Sequence, residues 1–64
     1  MSAAEEPLRR AEQLLEQLES TRAELERLAD RGDTDGAIEV LARLAQLAKD
    51  AEAELQHARR AAGA

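Results

Sequence analysis

Apolar residues recur in alternating steps of three and four along the first half of the chain, which is the spacing of one helix face. The positions on this face are Leu8, Ala11, Leu14 and Leu15, Leu18, Thr21 and Arg22, Leu25, and Leu28 and Ala29. Pro7 fits only the first turn of a helix, because proline has no N–H and its ring clashes with the preceding turn. The pattern therefore predicts a first helix over residues 7–29, preceded by a frayed tail.

The second half of the chain has a more regular apolar pattern. Its residues step by four and three without interruption, at Ala37, Leu41, Leu44, Ala48, Ala51, Leu55, Ala58 and Ala62. This is the 3.5-residue repeat of a coiled coil, and it predicts a second helix over residues 36–61. Four more apolar residues widen the stripe: Ile38, Val40, Ala45 and Leu47. One neighbouring helix covers only part of so wide a stripe, so we expect apolar surface to remain for another partner.

Residues 30–36 between the two patterns have the composition of a tight turn. Gly32, preceded by Arg31, is typical of a helix C-terminus, because glycine adopts the left-handed conformation without strain. Asp33, Thr34 and Asp35 offer side-chain oxygens to the free N–H groups of the next helix. A short connection places consecutive helices side by side. The sequence thus predicts an all-α fold: a single domain over residues 1–64, built as a two-helix antiparallel coiled-coil hairpin that forms oligomers.

Two features resemble ligand sites without having the necessary residues. The run from Asp33 to Gly36 resembles part of a calcium-binding loop, but Arg31 and Ala42 would occupy its first and last ligand positions. His57 has no cysteine or second histidine with which to share a metal ion. Acid–base chemistry by the paired carboxylates would need a desolvated pocket, which two helices do not enclose. We therefore expect no catalytic residues, no metal ion and no cofactor in this chain.

Composition narrows the classes of partner. The net charge of -5 opposes binding to phosphate backbones, and no aromatic residue is present to stack on bases. There is no cysteine, no signal-peptide core and no apolar run of membrane-spanning length. We expect a soluble, cytoplasmic protein that binds neither nucleic acid nor membranes directly. Since 64 residues form only a small core, worth about 3–5 kcal/mol, we also expect a protein partner.

The segment GAIEVLARLAQLAKDAEAEL, residues 36–55, resembles the second helix of the exodeoxyribonuclease VII small subunit family. The matching positions are Ala37, Ile38, Leu41, Leu47, Ala48, Leu55 and Ala58. LEQLES, residues 15–20, is similar to the end of that family's first helix. The resemblance, which covers Leu28 to Ala58, implies a non-catalytic helical subunit. Such a subunit would bind and stabilise a larger chain that degrades single-stranded DNA and carries the catalytic residues.

Two functional hypotheses follow from the predicted hairpin. In the first, the chain is an accessory subunit that packs its spare apolar stripe on a larger helical protein. In the second, it is a self-assembling structural or scaffold protein whose partners are copies of itself. Under either hypothesis the predicted interface residues are leucines of both helices: Leu15, Leu18, Leu25, Leu41, Leu44, Leu47 and Leu55.

Overall fold

The computed structural model of the protein describes residues 2–63, which form two α-helices packed against each other. Helix α1 spans Glu5–Asp30 and helix α2 spans Thr34–Gly63, and the described residues include no strand. The resulting hairpin measures 48 × 15 × 10 Å. The all-helical class is therefore confirmed. The predicted domain also includes Met1 and Ala64, which lie outside the described residues.

Helix α1 begins two residues earlier than the sequence pattern predicted. Ser2 supports this start, because its Oγ accepts a hydrogen bond from the Ala4 N–H (3.2 Å) and its carbonyl accepts one from Glu5 (3.1 Å). The Leu8 N–H donates to the Ala4 carbonyl at 3.1 Å. Pro7 is the third helical residue, so its missing N–H falls among the groups that have no partner within a helix. Proline is tolerated throughout this first turn, which is why it did not mark the first helical residue.

One residue of the turn, Asp33, takes part both in ending α1 and in capping the start of α2. Gly32 has φ of 75°, and its N–H donates to the Ala29 carbonyl at 3.0 Å. The Asp33 N–H donates to the Leu28 carbonyl at 2.9 Å, which completes a Schellman motif. The Asp33 Oδ1 then accepts a hydrogen bond from the Gly36 N–H at 3.0 Å, which caps α2. The predicted roles of Gly32 and Asp33 are confirmed, and the linker shortens to residues 31–33.

The contact between the helices, here called the seam, follows two rows of residues on each helix. From the first helix the rows are Ala11, Leu18 and Leu25, preceded by the N-cap residue Ala4, and Pro7, Leu14, Thr21 and Leu28. On α2 they are Ala37, Leu44, Ala51 and Ala58, and Val40, Leu47, Glu54 and Ala61. All of these residues are buried or half-buried, and their spacing is that of coiled-coil core positions. The large side chains lie mainly toward the turn, whereas alanine dominates the open end.

The seam uses one row of α2 that the sequence pattern predicted and one that it did not. The row from Ala37 to Ala58 lies in the seam as expected. The second row is Val40, Leu47, Glu54 and Ala61 rather than Leu41, Ala48, Leu55 and Ala62. Val40 is only 2% exposed, while Leu41 is 53% exposed. The residues three positions after each member of the Ala37 row are mainly apolar, and so are the residues four positions after. Periodicity alone therefore did not determine which side of α2 faces α1.

Candidate interaction surface

One side of the seam is polar and carries ion pairs between the helices. The Arg10 Nε donates to the Glu54 Oε2 at 2.9 Å near the open end. Closer to the turn, the Arg43 Nη1 lies 3.6 Å from the Glu24 Oε2. Gln17 lies between these pairs along α1. We call this the polar side; its residues are Arg10, Gln17, Glu24, Arg43 and Asp50. Late residues of α1 thus meet early residues of α2.

The other side of the seam is apolar and open to solvent. Its five large aliphatic side chains are Leu8 (44% exposed), Leu15 (49%), Ile38 (61%), Leu41 (53%) and Leu55 (43%). Exposed alanines lie between them at Ala29, Ala45, Ala48 and Ala62. We call these nine residues the leucine surface. Single exposed leucines are common on proteins, but a connected apolar patch on so small a chain is typical of an interaction surface.

Two shallow grooves show that both helices contribute to the leucine surface. Near the turn, a groove is lined by Leu25, Ala29 and Gly32 of the first half and Thr34, Ala37, Ile38 and Leu41 of the second. Near the open end, another is lined by Ala4, Leu8, Glu52, Leu55, Gln56, Ala58, Arg59 and Ala62. Each groove lies directly over seam residues. A helix that entered these grooves would therefore extend the hydrophobic core instead of forming a separate contact.

Charged residues border the leucine surface on the α1 side. Glu5, Glu12, Glu19 and Glu26 recur every seven residues and are all exposed. Arg22 continues the row of Leu8 and Leu15, and its Nη1 lies 3.0 Å from the Glu26 Oε1. The border is therefore acidic, with one cation close to the middle of the helix. A partner that covers the surface must leave these carboxylates in water or offer them positive charge.

The predicted interface residues divide into two groups. Leu18, Leu25, Leu44 and Leu47 are half-buried in the seam, where they hold the hairpin together. Leu15, Leu41 and Leu55 belong to the leucine surface and are available to a partner. Binding by any of them stays a prediction. Leu8 and Ile38 were not among the predicted interface residues, although Leu8 lies seven residues before Leu15 and Ile38 three before Leu41.

The seam contains one ionisable residue, Glu54, which occupies a core position opposite the alanine-rich part of α1. Its Oε2 accepts the Arg10 hydrogen bond, while its Oε1 is buried and has no hydrogen-bond partner in residues 2–63. His57 approaches this oxygen to 3.9 Å but is itself exposed. A buried carboxylate oxygen without a hydrogen bond is destabilising. Glu54 is therefore an unfavourable charged residue in a contact whose other residues, apart from Thr21, are apolar.

Within residues 2–63 the leucine surface and its two grooves form the candidate site. Within residues 2–63, no three histidine, cysteine, aspartate or glutamate side chains are grouped so that they could hold a metal ion. Neither helix over that range is long and apolar enough to cross a membrane. Comparisons with protein-family models, with curated proteins and with solved structures found no match to this chain.

Proposed function

We propose that the chain is a non-catalytic helical accessory subunit whose leucine surface packs on helices of a larger partner. The observation that carries this proposal is the difference between the two sides of the seam, since the leucine surface exposes five large aliphatic side chains while the opposite side is polar. Covering a half-exposed aliphatic side chain contributes about 1 kcal/mol. The leucine surface can therefore supply several kcal/mol to a helix-packing contact.

The proposed hairpin is an antiparallel coiled coil. The ion pairs Arg10–Glu54 and Glu24–Arg43 support this arrangement, because they join early residues of one helix to late residues of the other. The three-residue linker supports it as well, since parallel neighbours would need a connection as long as the helix itself. In this arrangement the leucine surface is continuous from the turn to the open end.

The proposed partner is the large subunit of an exodeoxyribonuclease VII, which would carry the catalytic residues. The resemblance in sequence motivates this choice, and the position of the resembling residues supports it. Ile38, Leu41, Ala48 and Leu55 are among the matching positions, and all four lie on the leucine surface. Residues that a shared partner would contact are thus accessible. The accessory role would be to cover apolar helices of the large subunit and so keep it soluble and active.

Co-expression with a large exodeoxyribonuclease VII subunit tests this function. We expect the chain to co-purify with the large subunit and to raise its soluble yield and its degradation of single-stranded DNA. The chain alone should degrade no DNA. Ala48→Asp should abolish these effects, because it places a charge in the middle of the leucine surface. Ala53→Asp is the matched control, since Ala53 is an exposed alanine of α2 on the polar side.

The co-expression experiment can also contradict the proposed function. If the large subunit is as soluble and active without this chain, the nuclease-subunit role loses its basis. The second candidate, a self-assembling structural or scaffold protein, would then be the better account of the leucine surface. The symmetric spacing of Leu41 and Leu55 about Ala48 on α2 favours self-association on its own grounds.

A further inference from the structure

We propose that in the isolated protein the leucine surface is covered by a second copy of this chain. The two copies are related by a two-fold axis that passes beside Ala48, so that α2 packs on α2 and the two turns lie at opposite ends. The product is a four-helix bundle. This inference rests on the proposed role of the leucine surface in helix packing, and it names the surface's partner when no larger subunit is present.

The order of residues along α2 fits such an axis. Leu41 and Leu55 lie seven residues before and seven residues after Ala48, all in one row of the leucine surface. A two-fold axis at Ala48 therefore brings Leu41 of each copy to Leu55 of the other. In a two-fold contact every pairing must occur twice in this way. The small side chain at Ala48 also lets the two α2 helices approach closely at the axis.

The single cation of the border, Arg22, meets a carboxylate in the same arrangement. Gln17 lines one groove with Leu47 and another with Asp50, so Ala48 lies level with Gln17. An axis at that level places residues that are equally far before and after Gln17 opposite each other. Arg22 thus faces Glu12 of the second copy, five residues on either side. With both turns at the same end, Arg22 would instead face Leu41 and Ala45, where no carboxylate is available.

Net charge determines which helices lie at the centre of the contact. Helix α1 carries eight acidic and four basic residues, whereas α2 carries five acidic and four basic residues. Two α1 helices at the centre would bring their glutamate rows together, and like charges repel. Centring the contact on α2 leaves those glutamates at the solvent-exposed rim, where Arg22 partly compensates them.

The outline of this face is close in size to a standard interface. A face 48 Å long and 15 Å wide offers roughly 700 Å², close to the ~800 Å² per partner of standard interfaces. Five large aliphatic side chains are exposed on this face, together with the charged side chains of Arg22, Glu52 and Arg59. A second copy can bury most of it along its whole length.

Engineered cysteines test the axis, because the chain has no cysteine of its own. In Ala48→Cys the two thiols lie next to each other across the proposed axis, within the short span that a disulfide bridges. We expect rapid and nearly complete disulfide formation between copies on mild oxidation. Ala53→Cys, the matched control, should remain mostly reduced. A mixture of Leu41→Cys and Leu55→Cys proteins should give mainly the mixed disulfide.

Sedimentation equilibrium completes the test. We expect a dimer at about 100 µM, and at least a 100-fold rise in its Kd for Leu41→Asp. A monomer at that concentration overturns the inference, and so does a dimer in which Ala53→Cys cross-links as fast as Ala48→Cys. Either result leaves the accessory function standing if the co-expression experiment succeeds. Conversely, dimerisation at Ala48 without any effect on a large subunit supports this inference and removes the accessory function.

Discussion

The polar side and the leucine surface border the same seam, on the same two helices. The first exposes charged side chains to water, whereas the second exposes aliphatic ones. On the polar side, Arg10 and Arg43 reach across to carboxylates of the other helix. On the leucine surface, the corresponding positions hold Leu8, Leu15, Leu41 and Leu55. A strict two-helix coiled coil needs only the seam, whereas helices of larger bundles carry an additional apolar row on one side.

This difference shows which apolar residues the hairpin buries by itself and which it leaves exposed. The polar side closes the seam with ion pairs between the helices, in which Arg10, Glu24 and Arg43 stay largely in water. The leucine surface continues the apolar stripe past the seam and leaves it uncovered. The two helices therefore bury only the apolar residues of the seam. A bundle of three or more helices would bury the leucine surface as well.

A charge in the seam and a charge on the leucine surface should give the sharpest contrast. Leu44→Asp places a carboxylate between the helices, so we expect a loss of about 3 kcal/mol or more of stability and an unfolded hairpin. Leu41→Asp lies three residues away but on the leucine surface. It should keep the helical content and lose only association. Circular dichroism melts and sedimentation of both variants measure the difference; equal melting temperatures would show that the seam has been assigned to the wrong row.

Replacing Glu54 tests whether a carboxylate inside the seam stabilises the hairpin. Replacing it by leucine removes the buried Oε1 and fills the alanine-rich open end, while the exposed Arg10 can turn to Glu6, which it already approaches to 3.4 Å. We expect Glu54→Leu to raise stability by about 1–2 kcal/mol. A thermal melt in dilute protein measures this. A lower melting temperature would mean that the Arg10–Glu54 bond stabilises the open end more than apolar packing would.

Removing the cap of α2 should weaken the fold without changing either side of the seam. Asp33→Ala leaves the Gly36 N–H without its acceptor, which typically costs about 1 kcal/mol. Asp33→Asn retains an acceptor oxygen and is the matched control. Urea titration gives the stability change, and sedimentation should show unchanged association once the protein is folded. Altered association would mean that the turn contributes to the partner contact.

The smallest effect is expected from the ion pairs of the polar side. Glu24→Ala removes the carboxylate that Arg43 approaches, but both side chains are substantially exposed. Such pairs contribute a few tenths of a kcal/mol and are screened by salt. The melting temperature should therefore fall by only a few degrees at low salt and by less in 0.5 M NaCl. A large, salt-independent fall would show that the polar side stabilises the hairpin as strongly as apolar packing does.

Much of this fold could be predicted from the sequence, because its signals are local. The two helices followed from apolar spacing, and the turn followed from the need for positive φ at Gly32 and for a cap at Asp33. The seam could be predicted only in part. Val40 and Leu41 are adjacent and both apolar, so their rows differ only in which side of α2 the turn directs toward α1. Cross-helix pairs such as Arg10–Glu54 depend on that rotation and were not predicted for the same reason.

The uneven seam has a consequence for the order in which the hairpin folds. Leucine and valine lie near a turn that fixes its own geometry over a few residues, whereas the open end is held mainly by alanines. Contacts close to the turn lock in a short loop and so form at low entropic cost. The hairpin should close from the turn outward, and its open end should separate first. Amide hydrogens near Leu28 and Val40 should accordingly exchange with solvent most slowly, and those near Ala11 and Ala58 sooner.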